Sequence, residues 1–174
     1  LVCSSEVREE LDFFVKEHRA VEVLREYALP ISNKLLFHGP PGCGKTTTGS
    51  ALALKLILEN KASRVLLVAY TNSAANEFCR ELCNILTPNE SRFFCVRAGY
   101  PAGADPSLSI PFSNNIEEIR SKKIVICTTL SLRRVRSIRF DNIIVDEAGV
   151  EKLQDLLSPF TLGINQRTAI HLLK

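Results

Sequence analysis

Apolar residues recur along this chain in two alternating rhythms. Residues 5–27 place Leu11, Phe14, Val15, Val21 and Leu24 at helical spacing, with Glu, Arg and Lys between them. Short apolar or β-branched runs then follow at 34–38, 64–70, 92–96, 123–128, 141–146 and 168–173, which are strand lengths rather than helix lengths. Helical patterns fill most of the gaps, notably 45–60, 73–86 and 149–158. Strands alternating with helices predict parallel pairing through right-handed crossovers. The expected fold is therefore α/β, a doubly wound, mainly parallel sheet with helices on both faces. Strands covered on both faces need no polar side, and Ile124-Val-Ile-Cys127 and Ile143-Ile-Val145 are apolar throughout.

Gly99 to Asn115 breaks the rhythm with Gly, Pro, Ser and Asn, and is expected to be a long surface loop or small insertion. The pattern divides the chain into a helical lead-in, residues 1–30, and one α/β domain, residues 31–174. A length of 174 residues with 45% hydrophobic and 24% charged content suits a single domain with a substantial core. The net charge of +3 permits a nucleic-acid partner without arguing for one.

The cysteines fall at 3, 43, 79, 83, 95 and 127. Cys79 and Cys83 share a helix face, but no nearby Cys or His pair completes a zinc set. Reduced thiols in an intracellular protein of the cytoplasm or nucleus are the simplest account. The chain has no signal pattern and no apolar run of membrane-spanning length, so no membrane partner is expected. It begins on Leu and stops on a strand-like run, and is read as a piece of a longer protein.

Chemistry concentrates at Gly39-Pro-Pro-Gly-Cys-Gly-Lys-Thr46, a full match to the phosphate-binding loop pattern between a strand candidate and a helix candidate. Glycines allow several backbone N–H groups to converge on a polyphosphate, and the following helix offers its positive dipole end. Gly39, Pro40, Pro41, Gly42, Cys43, Gly44, Lys45, Thr46 and Thr47 are thus the nucleotide-binding candidates. Lys45 would reach the β- and γ-phosphates, and the Thr46 hydroxyl would ligate Mg²⁺. ATP and Mg²⁺ are the expected cofactors.

The other half of the site is Asp146-Glu147, at the end of the apolar run that follows Phe140. Strand C-termini line the ligand crevice of a parallel sheet, so this pair would face the phosphate loop. Asp146 suits Mg²⁺, and Glu147 suits polarising the water that attacks the γ-phosphate. An acid pair after a strand is also a common helix N-terminal pair. Lys45, Asp146 and Glu147 are the catalytic candidates.

With these motifs in place, the chain resembles the first RecA-like domain of superfamily 1 helicases, nearest to the branch that contains the nonsense-mediated-decay helicase. The likeness rests on the phosphate loop, on Val65-Leu-Leu-Val-Ala-Tyr-Thr-Asn72, on Ile124-Val-Ile-Cys-Thr-Thr-Leu-Ser131, and on Phe140 to Gly149. Three strand candidates between Lys45 and the acidic strand fit that family, whereas the AAA+ group usually has a shorter interval. The resemblance implies that Thr71, Asn72, Thr128 and Thr129 contact the backbone of a single RNA or DNA strand. It also implies that a second RecA-like domain, elsewhere in the same polypeptide, supplies an arginine finger. On that footing residues 1–174 alone would bind ATP but hydrolyse it poorly.

Bland roles stand beside these. Asn72 also fits a helix N-cap, and Thr128 and Thr129 fit strand-end β-propensity. Arg120, Lys122, Lys123, Arg133, Arg134, Arg136 and Arg139 form either a phosphate track or a solvated face. Tyr70 replaces the family's usual Pro, and its ring either stacks on a base or packs beside the sheet. Glu17 stands where relatives carry an adenine-reading Gln, and Gly149-Val-Glu151 replaces the usual Ser-Gln or Ala-Gln. The competing function is a P-loop switch or remodelling ATPase that acts on protein partners without translocation.

Overall fold

The computed structural model describes residues 5–27, 34–37, 42, 44–60, 63–99, 101–146 and 169–173. The described strands are β1 (Lys34–Phe37), β2 (Val65–Ala69), β3 (Cys95–Ala98), β4 (Phe112–Ser113), β5 (Ile124–Thr128), β6 (Asn142–Val145) and β7 (Ala169–Leu173). They form one sheet in the order β1-β7-β6-β2-β5-β3-β4, and every pairing is parallel. The helices are α1 (Ser5–Arg19), α2 (Val21–Glu26), α3 (Lys45–Glu59), α4 (Asn72–Ile85), α5 (Pro88–Phe94), α6 (Ile116–Ser121) and α7 (Leu132–Val135).

Side-chain alternation along the central strands splits the core into two layers. Val65, Leu67 and Ala69 of β2, with Ile124 and Ile126 of β5, join Phe14 of α1, Leu52 and Leu56 of α3, and Phe78 and Leu82 of α4. Leu66 and Val68, with Val125 and Cys127, face the opposite way, onto Ile119 of α6 and Leu132 and Val135 of α7. Both layers are apolar because neither face meets water. Burying each such Leu, Ile or Val stabilises the fold by about 1.5–3 kcal/mol before entropy is counted. Ion pairs Lys55–Asp12 and Arg19–Glu59 tie α1 along α3.

The structure departs from the sequence-based expectation in several places. The N-terminal helix breaks at Ala20, whose N–H is shared between the carbonyls of Lys16 and Glu17 in a tightened turn. Residues 92–94 are not strand but the last turn of α5. The Thr87-Pro-Asn-Glu90 sequence makes a capping box: the Thr87 side chain accepts from the Glu90 N–H, while Glu90 accepts from the Thr87 N–H. With Pro88 in the first turn, that start signal outweighs the strand propensity of Phe93 and Phe94.

The segment from Gly99 to Asn115 is not wholly loop. It holds a 3₁₀ turn at Pro101–Gly103 and the edge strand β4, which adds to the open side of β3. The unforeseen α6 starts where the Asn115 side chain accepts from the Glu117 N–H at 2.9 Å. The expected helix at 149–158 lies outside the described residues.

Candidate nucleotide and nucleic-acid site

The site assembles at the C-terminal edge of the sheet. Helix α3 opens at Lys45 behind Gly44, which is left-handed at φ 83° and ψ 23°. Gly42 also has positive φ, at 79°. A Cβ at either position would meet no atom of the described residues within 4 Å. The backbone angle, not lack of room, is therefore what demands glycine there.

The start of α3 differs from those of its neighbours. Thr71, Thr87 and Asn115 cap α4, α5 and α6 with side-chain acceptors. No side-chain hydrogen bond caps α3, and its first turn carries no acid. Its positive dipole end at this point favours an anion.

One hundred positions later in sequence, Asp146 meets this helix. Thr46 Oγ1 donates to Asp146 Oδ2 at 3.1 Å. Asp146 is buried at the end of β6, and its N–H donates to the Val68 carbonyl at 2.8 Å, prolonging the β6–β2 ladder. A hydroxyl and a carboxylate oxygen side by side are hard ligands of the kind Mg²⁺ takes, and the N-terminal end of α3 suits a polyphosphate. Lys45 and Thr47 are half-buried in the same first turn. Gly39, Pro40, Pro41, Cys43 and Glu147 lie outside the described residues.

The four strand-contact candidates collect at the adjoining ends of β2 and β5, which pair through Ala69 and Thr128. Asn72 is not the N-cap of α4. Thr71 holds that position, accepting from the Ala74 N–H at 3.1 Å, and Asn72 begins the helix with its side chain exposed. Its Oδ1 accepts from Arg97 Nη2 at 3.0 Å.

Thr128 is buried, with its hydroxyl 3.1 Å from Ser131 Oγ, whereas Thr129 is half-buried at the start of a 3₁₀ turn. Tyr70 does not pack away beside the sheet: it is 39% exposed, and Leu130 is 80% exposed. Of the basic run, Arg133, Arg136 and Arg139 are exposed, while Arg120 pairs with Glu117 and Arg134 with Asn114. Sequence reasoning missed Arg97. The available signal was a lone charge within the apolar Cys95-Val-Arg-Ala98 run.

The thiols are quiet. Burial pushes Cys79 and Cys127 up to about 12, and Cys95 higher still, so all three are neutral and poor nucleophiles near pH 7. Maleimide labelling of the native protein, read by peptide mass mapping, is expected to spare these three and to reach them only after denaturation. Rapid native labelling of any of them would contradict the packing. No cluster of metal-ligating side chains occurs among the described residues, and no helix there is long and apolar enough to cross a membrane.

A parallel α/β sheet with a helix start lacking a side-chain cap and a strand-end carboxylate converging on one point defines a RecA-like P-loop domain. Residues 16–119 match the AAA domain family, and the chain belongs to that family. It is 31% identical over 100 residues to the DNA polymerase alpha-associated DNA helicase A of Schizosaccharomyces pombe, covering 57% of this chain and 14% of that protein. It is 45% identical over 42 residues to the AAA family ATPase y4kL of Sinorhizobium fredii, 24% of this chain and 13% of that one. The chain thus spans a small fraction of both relatives.

Among solved structures, the Type ISP restriction-modification enzyme LlaGI, in complex with a DNA substrate mimic, superposes with a TM-score of 0.59 at 13% identity. That superposition covers 95% of this chain and 17% of LlaGI. The UvsW helicase of bacteriophage T4 gives 0.55 at 15% identity, covering 83% of this chain and 47% of UvsW. These likenesses concern the fold.

Proposed function

We propose that the chain is the first of two RecA-like ATP-binding domains of a superfamily 1 helicase that couples ATP hydrolysis to movement on single-stranded RNA or DNA. The observation that carries this reading is the Thr46–Asp146 hydrogen bond beneath the uncapped start of α3. The amides of the loop from Gly39 to Gly44 and of the first turn, Lys45 to Thr47, bind and orient the triphosphate. The Lys45 ammonium balances its outer charge. Thr46 and Asp146 would hold Mg²⁺, which when bound neutralises charge on the β- and γ-phosphates. Glu147 aligns the attacking water and takes its proton.

Strand contact falls to Thr71, Asn72 and Thr129. The Thr128 side chain is committed to Ser131, which leaves its backbone for that role. The exposed Tyr70 and Leu130 lie beside them as surfaces on which bases rest, since stacking tolerates any sequence. A nucleic-acid partner agrees with the S. pombe relative, a DNA helicase by name, and with the LlaGI structure, which holds a DNA mimic. Its setting is a reducing, intracellular one, with the described cysteines as free thiols. The branch nearest in motif pattern is that of the nonsense-mediated-decay helicase.

In the full-length protein, single-stranded oligonucleotides are expected to stimulate ATP turnover, and Asn72→Ala with Thr129→Ala to remove most of that stimulation. Steady-state ATPase assays with oligo-U and oligo-dT measure this. Undiminished stimulation in the double variant would exclude the proposed strand path.

A further inference from the structure

We infer that Arg97 is a positioning residue that sets the Asn72 carboxamide for contact with a phosphate backbone; this rests on the reading of Asn72 given above. Arg97 sits on β3 between apolar neighbours, and its side chain is only 4% exposed. A buried guanidinium is costly unless its N–H groups find acceptors. Nη1 donates to the Ala98 carbonyl at 2.8 Å and reaches that of Ile126 at 3.5 Å, which anchors the group across β3 and β5. Nη2 is directed at Asn72 Oδ1 at 3.0 Å. No carboxylate among the described residues neutralises this cation, and its Nε is buried with no partner there.

The consequence concerns which half of the amide faces outward. An unrestrained Asn presents its oxygen or its nitrogen with little preference, and phosphate oxygens only accept. With Oδ1 held by Arg97, the two N–H donors of the exposed Asn72 are the half left for a ligand. A hydrogen bond from a charged donor holds that orientation more firmly than a neutral one would.

Gly103 packs against the same amide. A Cβ there would come within 2.2 Å of Asn72 Cγ and Nδ2 and 2.5 Å of Oδ1, so any side chain would displace the carboxamide. The Gly103 carbonyl is itself pinned to α4, accepting from Asn76 Nδ2 at 3.0 Å. The segment after β3 is thereby fitted closely to the Asn72 carboxamide.

A double-mutant cycle in the full-length protein tests the inference, with strand affinity read from the anisotropy of labelled oligo-U and oligo-dT. Asn72→Ala and Arg97→Lys are each expected to weaken binding about tenfold. The double variant should bind no more weakly than Asn72→Ala alone, because Arg97 acts through Asn72. Gly103→Ala keeps Arg97 but displaces the carboxamide, and should give a comparable loss. Should Arg97→Lys fail to fold, as judged by thermal unfolding, Gly103→Ala alone decides.

Wild-type binding by Arg97→Lys or Gly103→Ala, or effects of Arg97 and Asn72 that multiply, would overturn the positioning role while leaving Asn72 as a contact. Wild-type binding by Asn72→Ala would instead remove the contact itself, and the inference with it.

Discussion

In the full-length protein, Lys45→Ala is expected to lower kcat/KM for ATP by about two to three decades, or about 3–4 kcal/mol of transition-state stabilisation. Lys45 occupies the first turn of α3, beside the left-handed Gly44 and next to Thr46, whose hydroxyl reaches Asp146. Charge builds on the phosphate oxygens as the terminal phosphoryl group transfers, and an ammonium held there is worth more than it would be in water. Alanine is the best helix former, so the substitution leaves α3 intact and isolates the lost charge. Steady-state kinetics together with the affinity for a non-hydrolysable ATP analogue measure the effect. Wild-type turnover would show that the triphosphate lies elsewhere.

Glu147→Gln is expected to separate binding from chemistry. The carboxamide matches the carboxylate in size but cannot take a proton, so the affinity for ATP should hold while turnover falls by about two to four decades. Single-turnover hydrolysis beside equilibrium binding distinguishes the two quantities. Normal turnover would transfer the water-activating role to another group. Together the two variants test the proposed division of the site, in which Lys45 stabilises the charge of the phosphoryl group and Glu147 handles the water.

Much of this architecture was legible in local pattern. The runs at 64–70, 123–128 and 141–146 became β2, β5 and β6 with their ends trimmed by a residue or so, because continuous apolarity is what a strand covered on both faces requires. The glycines at 42 and 44 announced positive φ, and the chain adopts it. The errors have identifiable causes. Phe93 and Phe94 looked like strand because the capping box upstream of them went unnoticed. The cap role that stood beside strand contact for Asn72 went to Thr71, since Asn and Thr both favour that position and only helix geometry separates them. Arg97 carried no motif at all: its partners lie on β5 and at the start of α4, which no window around residue 97 contains.

The sequence by itself determined the alternation of the central strands with helices α3 and α4, and the presence of a phosphate-loop motif and an acidic doublet. Each of these depends on the identity and periodicity of residues close together in the chain. Only the tertiary structure decided that β7 lies between β1 and β6, that Thr46 meets Asp146 at 3.1 Å, and that Arg97 holds Asn72 while Thr128 turns to Ser131. Those juxtapositions follow from strand order and register. Both are settled by the burial of two whole apolar layers at once, a collective energy that no single segment carries.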